Sequence, residues 1–196
     1  MSLPESIKNL RELISGMPSM SDKGAERFLE YWWNNRNKDG FGKAWSEFLE
    51  LKPCKKCFFF AKLELCEFCT NEKRDKTKIC VLSSPFATDL FEKQSTYDGL
   101  YFVLGGEVTG SKNFNRLELV KERVKLLGER VKREDIKEII LANDFTSQGE
   151  ATALFIKENI SGKDLRITRL SRGFGSGDML AYSDPMTIKE AMENRR

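Results

Sequence analysis

Four cysteines carry the clearest chemical signal in the sequence. Cys54, Cys57, Cys66 and Cys69 form a C-x2-C-x8-C-x2-C array within the run CKKCFFFAKLELCEFC. Two C-x2-C pairs separated by a short loop bring four thiolates within tetrahedral reach of one ion, and an all-thiolate shell leaves no coordination position for a catalytic water. The array therefore predicts one structural zinc ion, for which iron could substitute during expression.

Two disulfides are the alternative for the same four cysteines. Disulfides belong mainly to secreted proteins, and the chain opens MSLPESIKNL without the charged and then apolar segment typical of a signal peptide. No apolar run reaches the length that a membrane-spanning helix needs. These features favour zinc and predict a cytoplasmic protein with no membrane partner. The fifth cysteine, Cys80, lies in the apolar run ICVL and is predicted to be a buried thiol.

Composition narrows the possible chemistry. The 196 residues are 40% hydrophobic, which suffices for a core in one domain or in two small ones. The formal net charge is only +3, so any affinity for nucleic acid must come from local clusters of basic residues. The sequence contains no histidine, which excludes histidine acid–base catalysis, Ser-His and Cys-His nucleophiles, and histidine metal ligands.

The first fifty residues are predicted to be helical. Apolar residues recur at helical spacing, first at Ile7, Leu10, Leu13 and Ile14 and then at Ala25, Phe28, Leu29 and Trp32. Between the two helices, Pro18 is expected to end the first, and Ser21 or Asp22 to cap the second. A third short helix is predicted over residues 44–51.

From Ile79 onward, short apolar runs alternate with amphipathic segments. The predicted strands are ICVL, LYFVL at 100–104, EIILA at 138–142 and a segment at 165–170, and the predicted helices lie near Ala87, at 117–127 and at 151–156. Such alternation is typical of a mainly parallel sheet flanked by helices. Ligands bind at the carboxyl ends of parallel strands, where the loops SSP and NDFTSQGE follow ICVL and EIILA.

Asp144 and Glu150, in the second of these loops, could bind Mg²⁺ through water, as acidic residues do in phosphoryl- and nucleotidyl-transfer sites. The simpler interpretation is that Asp144 caps a turn and Glu150 favours the start of a helix. Two carboxylates are a thin basis for a metal site, so the residues alone favour the simpler interpretation.

Four motifs in one order give the sequence a family resemblance. They are the cysteine array with the following RDKTKICVL, then YDGLYFVLGG, LANDFTSQGEATALFI and the closing RLSRGFGSGDMLAYSDPMTIKEAMENRR. With the helical N-terminus they resemble the RecR family of bacterial recombination mediators over nearly the whole chain. The resemblance implies an α/β fold class with a helix-hairpin-helix region at 1–53, a zinc finger at 54–69, a Toprim domain at 77–173 and a Walker-like oligomerisation segment, ending in a helix, at 174–196.

The resemblance also implies a function in DNA repair without catalysis. Members of the family act with RecO, and in many bacteria with RecF, to load recombinase onto gapped or single-stranded DNA, and their protomers form dimers or tetrameric rings that encircle DNA. Lys23 and Arg27 of SDKGAERFL fall where the family carries DNA-contacting residues, although without the family a solvated pair is the simpler interpretation. Tyr182 and Asp184 fall in the segment expected to contact another protomer.

Two departures from the family pattern bear on these expectations. Ser19-Met20-Ser21 stands where the hairpin is expected to carry Gly-apolar-Gly, so DNA contact there is expected to be weakened or reshaped. Ser83 stands where catalytic Toprim members carry a glutamate, and Asp144-Phe145-Thr146 keeps only the first aspartate of their DxD pair. A two-metal site cannot be assembled from this remnant, which predicts a non-enzymatic scaffold whose Asp144 and Glu150 contact a partner.

Two alternatives to a DNA clamp remain open. A divergent Toprim nuclease or primase would explain the acidic pair, but it needs a third acidic ligand near Ser83, for which Glu92 is the nearest downstream carboxylate beyond Asp89. A zinc-stabilised interaction module without DNA affinity would fit the altered hairpin.

The aromatic run at 58–60 and the glycines of RGFGSGD at 172–178 each have two interpretations. Phe58-Phe59-Phe60 is predicted to pack around the zinc site, with an exposed platform for base stacking as the alternative. RGFGSGD is a poor match to a Walker A loop, which needs Lys and then Ser or Thr after its last glycine. It is therefore predicted to be a flexible subunit contact.

Overall fold

The computed structural model describes residues 3–35, 40–108, 114–174 and 182–193, except for the side chains of 114–116. The chain divides into two compact units, an N-terminal unit, Met1–Glu50, and a C-terminal unit, Leu51–Arg196. In chain order the elements are α1 (Glu5–Ser15), α2 (Asp22–Asn34), α3 (Gly40–Glu50), β1 (Lys52–Pro53), β2 (Phe60–Ala61), α4 (Glu67–Thr70), β3 (Asp75–Leu82), a 3-10 turn (Pro85–Ala87), α5 (Thr88–Lys93), β4 (Gly99–Val103), α6 (Phe114–Arg133), β5 (Glu138–Leu141), α7 (Ser147–Asn159), β6 (Arg166–Arg169) and α8 (Pro185–Glu193).

The N-terminal unit begins with the two predicted helices, α1 and α2, joined by a tight turn. Ile14 and Ala25 are buried, and Arg11 forms an ion pair with Glu26 at 3.1 Å. Ser21 is the predicted cap, since its hydroxyl accepts a hydrogen bond from the backbone N–H of Gly24 at 3.1 Å. Ser19 has a φ of 62°, in the left-handed region that favours glycine.

Helix α3 contacts α2 through aromatic rings, with the Phe41 and Trp32 centroids 4.6 Å apart. The helix ends at Glu50, so Leu51, which was predicted to belong to it, lies just beyond its end. Many apolar side chains of this unit are exposed, including Leu13 at 70% and Trp33 at 63%. A unit of this size has too little interior to cover every apolar residue on three helices.

The C-terminal unit is built on the predicted parallel sheet. Within the described residues its strands lie in the order β4-β3-β5-β6. Strand β3 pairs with β4 on one side, where Val81 lies beside Phe102, and with β5 on the other, where Cys80 lies beside Ile140. Every pairing in this sheet is parallel. The α/β architecture predicted from the alternating pattern is confirmed.

Both faces of the sheet are buried, because alternate residues of a strand point to opposite faces. Ile79 and Val81 face a core formed with apolar residues of α6 and α7. Cys80 and Leu82 face a second cluster that includes Phe91 of α5. Burial on both faces explains the uninterrupted apolar runs of these strands. Cys80 is the predicted buried thiol, and burial raises its pKa to about 12.

The other predicted helices and strands differ from the observed ones mainly at their ends. The helix predicted near Ala87 begins one residue later, at Thr88, because Pro85 and Ala87 belong to the preceding 3-10 turn. None of the helices that the structure describes is both long enough and apolar enough to cross a bilayer. Gly175 and Gly177 of the predicted glycine-rich contact lie outside the described residues.

Alanine substitutions at two glycines are expected to change the free energy of unfolding in opposite directions. A Cβ at Gly149 would lie 1.9 Å from the carbonyl oxygen of Asp144, whereas a Cβ at Gly128, inside α6, would meet Ile160 at 3.7 Å, an ordinary contact. We expect Gly149→Ala to lower the free energy of unfolding by more than about 2 kcal/mol. Gly128→Ala should raise it by about 0.5–1 kcal/mol, because alanine favours the helix. Urea unfolding of both variants checks this, and an unperturbed Gly149→Ala protein would contradict the described start of α7.

Candidate metal centre and strand-end site

The four cysteines of the array converge, as their spacing predicts, and form the cysteine centre. Their sulfur atoms all lie within 4.8 Å of one another. Cys54 Sγ is 3.8 Å from Cys69 Sγ, and Cys57 Sγ is 3.4 Å from Cys66 Sγ. Tetrahedral Zn–S bonds of about 2.3 Å separate ligand sulfurs by about 3.8 Å. All four are free thiols rather than disulfides, so the centre can bind a single metal ion.

A short hairpin fixes the first pair of cysteines. Strands β1 and β2 pair antiparallel around the first C-x2-C turn. The backbone N–H of Cys54 donates to the carbonyl of Phe59 at 2.8 Å, and that of Phe58 donates back to the Cys54 carbonyl at 2.9 Å. The backbone N–H of Cys66 also donates to Cys54 Sγ at 3.4 Å. These hydrogen bonds orient the sulfur atoms independently of a metal.

Hydrogen bonds between the four cysteine side chains shift the pKa values of neighbouring thiols in opposite directions. A hydrogen bond from Cys57, with a further one from Cys69, lowers the pKa of Cys66, and the same contact between Cys57 and Cys66 raises the pKa of Cys57. A thiolate at Cys66 therefore disfavours a second thiolate beside it. A divalent cation supplies the positive charge that four adjacent thiolates require.

A second polar cluster lies at the carboxyl ends of the three adjacent strands β4, β3 and β5. The Ser83 hydroxyl, just after β3, donates a hydrogen bond to Glu107 Oε1 at 2.6 Å. Asn143, just after β5, donates from Nδ2 to Ser83 Oγ at 2.8 Å. Glu107 follows β4. Ser83, Glu107 and Asn143 form what we call the strand-end site. The sequence analysis predicted the two loops that contain Ser83 and Asn143 as ligand sites, but it did not identify Glu107. The position of Glu107, two glycines after the predicted strand LYFVL, could have indicated a third loop at the same edge of the sheet.

The acidic pair Asp144 and Glu150 does not form a metal site in the structure. The Asp144 carboxylate is exposed and makes no hydrogen bond or ion pair with the residues that the structure describes. Glu150 forms an ion pair with Arg169 at 2.8 Å. A turn cap by the Asp144 carboxylate is not seen among the described residues, and α7 is capped by Thr146, whose hydroxyl accepts from the N–H of Gly149 at 3.1 Å. The glutamate does lie in the first turn of that helix, as expected.

Glu92, the nearest candidate for a third acidic ligand, is engaged elsewhere. Its carboxylate pairs with Arg74 at 2.8 Å and accepts from the Tyr101 hydroxyl at 2.5 Å. Burial alone would raise the pKa of Glu92, but these hydrogen bonds lower it. Across the described part of the chain, only the four cysteines bring three or more metal-ligating acids, thiols or imidazoles together.

The sheet and its flanking helices can be compared with known families. Residues 77–171 match the family model of the Toprim domain. The Toprim segment, as we call these residues, begins within β3 and ends just after β6. It includes the strand-end site and excludes the cysteine centre and the N-terminal unit.

The cysteine centre is docked onto the Toprim segment through its first C-x2-C turn, residues 54–58, which we call the first knuckle. The backbone N–H of Val103 donates to the carbonyl of Cys57 at 2.8 Å. Phe58 packs edge-to-face on Phe102, with centroids 5.4 Å apart, and the guanidinium of Arg123 lies 4.3 Å above the Phe58 ring. Val103 belongs to β4, an edge strand of the sheet. The knuckle therefore covers an edge that would otherwise expose an unpaired N–H group.

Each residue of the aromatic run at 58–60 is partly buried and packs against another aromatic ring. Phe59 packs beside the cysteine centre against Phe68, with centroids 4.9 Å apart, which confirms core packing for this residue. Phe58 packs on the sheet instead. Phe60 lies 5.5 Å from Phe86, a side chain that is 73% exposed.

The residues predicted to contact DNA or another protomer lie on surfaces. Lys23 and Arg27 are exposed on the first turns of α2, and Arg27 Nε donates to the Lys23 carbonyl at 3.3 Å. Tyr182 is 85% exposed. Asp184 has an internal role, because its carboxylate accepts the backbone N–H groups of Met186 and Thr187, each at 3.0 Å, at the start of α8.

Loss of the metal is expected to weaken the hydrogen bond between the first knuckle and strand β4. With a chelator, or in Cys66→Ser, the amide of Val103 should lose more than about tenfold of its protection from hydrogen exchange, because its acceptor is the carbonyl of Cys57. The neighbouring amide of Leu104 is an internal control, since it donates to Leu82 of β3 instead. Hydrogen exchange followed by NMR measures both amides.

The matched control variant is Cys80→Ala, which removes a buried thiol outside the centre. Its metal content should equal that of the unmodified protein, measured by elemental analysis. Retained protection of Val103 in metal-free protein would contradict the coupling between knuckle and sheet.

Proposed function

We propose that the protein is a RecR-like component of recombinational DNA repair that binds DNA and has no catalytic activity of its own. The observation that carries the proposal is the combination of a Toprim segment with a four-cysteine centre docked on its edge strand, within one compact unit. The motif resemblance over the rest of the chain supports the same assignment.

The proposed metal is zinc, in a structural role. Four thiolates form a closed tetrahedral shell for Zn²⁺, which leaves no position for a reacting water. Three of the four side chains are fully or almost fully buried, with Cys54 and Cys57 at 0% and Cys66 at 3% exposure. This burial supports a metal that stabilises the fold and does not contact substrate.

The strand-end site supports the proposal of a scaffold without catalysis. Two-metal nucleotidyl transfer needs several carboxylates that converge on both ions. Here Ser83 stands at the position of the family's glutamate and is hydrogen-bonded to Glu107 and Asn143. Glu150 and Glu92 are held by arginines. A divergent magnesium-dependent nuclease or primase finds no support in this arrangement.

The N-terminal unit is the proposed DNA contact. Two helices joined by a tight turn resemble a helix-hairpin-helix, and the side chains of Lys23 and Arg27 are exposed beside the turn. The N-terminus of α2 directs free backbone N–H groups and a partial positive charge toward a phosphate. Ser19 supplies, at a cost in backbone strain, the left-handed conformation that glycine supplies in the family. Such contacts grip phosphates without reading bases.

Partners and assembly complete the proposal. We propose a cytoplasmic homo-oligomer, a dimer or tetrameric ring, that acts with RecO and in some settings RecF on gapped or single-stranded DNA. The carboxylate of Asp144 is exposed and forms no ion pair or hydrogen bond with the described residues, which supports a role in partner contact. Glu150 would first have to leave its arginine partners. Tyr182 is the stronger candidate for a protomer contact, because Asp184 already caps α8.

DNA affinity provides the test. We expect Lys23→Ala and Arg27→Ala each to weaken binding of a gapped duplex roughly tenfold at moderate salt, and each to reduce the slope of log K against log salt by about 1. Fluorescence anisotropy over a salt series measures both quantities. Lys8→Ala is the matched control, since this exposed lysine of the same unit is already paired with Glu5, and it should bind as the unmodified protein does.

Two outcomes would overturn the proposal. Binding that is insensitive to salt and to both substitutions would favour an interaction module without phosphate contacts. Magnesium-dependent cleavage of the same DNA, abolished in Glu150→Gln, would favour a nuclease.

A further inference from the structure

We infer that a groove between α6 and α7 binds the phosphate backbone of single-stranded DNA through three lysines of α6, Lys121, Lys125 and Lys132, which we call the lysine row. The inference rests on the proposed function in that its ligand is DNA. It goes further, because it places a second DNA contact in the C-terminal unit, on a helix face that the sequence analysis did not identify.

The lysine row lies along one face of α6. Because an α-helix has 3.6 residues per turn, residues separated by four and then seven positions lie within about 40° of one another around the axis. Over the eleven residues of the row, the helix rises about 16 Å. The neighbouring face is buried in the core, at Val120, Val124, Leu127 and Val131. This packing fixes the direction in which the row points.

The lysine row borders a groove of about 290 Å³. Val124 and Phe155 line it with apolar surface, and Asn159 and Ser161 line it with polar groups on the side of α7. Gly128 lies between the second and third lysines on the same face of α6 and leaves the groove open, because it has no side chain. The three ammonium groups therefore border a groove that a ligand can enter.

Two lysines of the row have no counter-charge. Lys125 and Lys132 are exposed and form no ion pair with the residues that the structure describes. Lys121 pairs with Glu118 at 3.0 Å, and an exposed pair of this kind contributes little stability. Glu129 also lines the groove, but its carboxylate is paired with Arg133 at 2.9 Å. The groove therefore carries a net positive charge.

A role in helix stability explains only part of the row. Positive side chains in the last turn of a helix interact favourably with its dipole, and Lys132 lies in that turn of α6. The effect falls off within one turn, so it does not account for Lys125, which lies two turns earlier. The repetition of lysine along the helix calls for a ligand with repeated negative charge.

The spacing of the charges favours a nucleic-acid backbone over an acidic protein. A backbone carries a phosphate at every nucleotide and offers a partner to each lysine in any register. A protein segment would have to place carboxylates opposite the same three positions. Lysine is a flexible point charge that suits phosphates contacted without base recognition. A groove of this size admits one strand but not a duplex, and charged grooves of this kind follow single strands.

Binding of a labelled oligothymidine to the zinc-loaded protein tests the inference. We expect Lys125→Ala and Lys132→Ala each to weaken binding roughly three- to tenfold at moderate salt, because each removes one phosphate contact. Each should also reduce the slope of log K against log salt by about 0.7. Fluorescence anisotropy over a salt series measures both quantities. Lys157→Ala is the matched control, since this exposed lysine of α7 does not line the groove, and it should bind as the unmodified protein does.

NMR separates this contact from the one proposed in the N-terminal unit. In the Lys23→Ala/Arg27→Ala double variant, the amide signal of Gly128 should still shift when oligothymidine is added. The amide signal of Phe91 should not shift, because α5 packs on the opposite face of the sheet from α6.

The outcomes distinguish the inference from the proposed function. Binding that depends on Lys23 and Arg27, with no effect of either substitution in the lysine row and no shift of Gly128, would overturn the inference alone. Binding that depends only on the lysine row would support the inference and contradict the proposed N-terminal contact. Protein that binds no DNA would overturn both. Tighter binding of oligoglutamate by the same lysines would assign the groove to an acidic protein, and an equal loss of affinity for duplex would contradict the assignment to a single strand.

Discussion

The contact between the first cysteine knuckle and strand β4 is the constraint on which the C-terminal unit depends. Four thiol groups within 4.8 Å of one another cannot all ionise without a cation. A bound metal would hold in place the turn that carries the Cys57 carbonyl, a turn that backbone hydrogen bonds already orient, and that carbonyl accepts the outward N–H of Val103 on an edge strand. The metal would thus stabilise the sheet indirectly, through the hydrogen bond between Val103 and the Cys57 carbonyl. It also protects an edge where another chain could pair.

Under the proposed function, the same sheet keeps a fold that enzymes use but does not carry out their chemistry. Ser83 removes the carboxylate from the end of β3, and the neighbouring loops close over it with hydrogen bonds from Asn143 and to Glu107. Glu150, in the first turn of α7, forms an ion pair with Arg169. Asp144, just after β5, is exposed, and under the proposed function its carboxylate contacts a partner. This is consistent with a protein that acts by holding DNA and other proteins.

Much of this structure could be predicted from the sequence where a local pattern is tied to one physical cause. The ICVL half of β3 and the strand β4 are apolar because both of their faces are buried, and the cysteine spacing by itself predicts the geometry of the centre. Other features depend on which of several suitable residues forms a given contact, and the spacing of residues in the sequence does not determine this. Thr146 and Asp144 both lie before α7 and both can cap a helix, and the hydrogen bond from the N–H of Gly149 to the threonine hydroxyl is seen only in the folded chain. Glu107 reaches Ser83 because of the left-handed turn at Gly105, a long-range contact that no periodicity reveals.

The central claim, a DNA-binding oligomer without catalysis, is tested most directly by light scattering coupled to size-exclusion chromatography. Zinc-loaded protein would be measured alone and then with a gapped duplex over a series of salt concentrations. The account predicts a dimer or tetramer whose DNA complex dissociates steeply as salt rises, because phosphate contacts dominate its affinity. A monomer that forms no DNA complex even at low salt would contradict it.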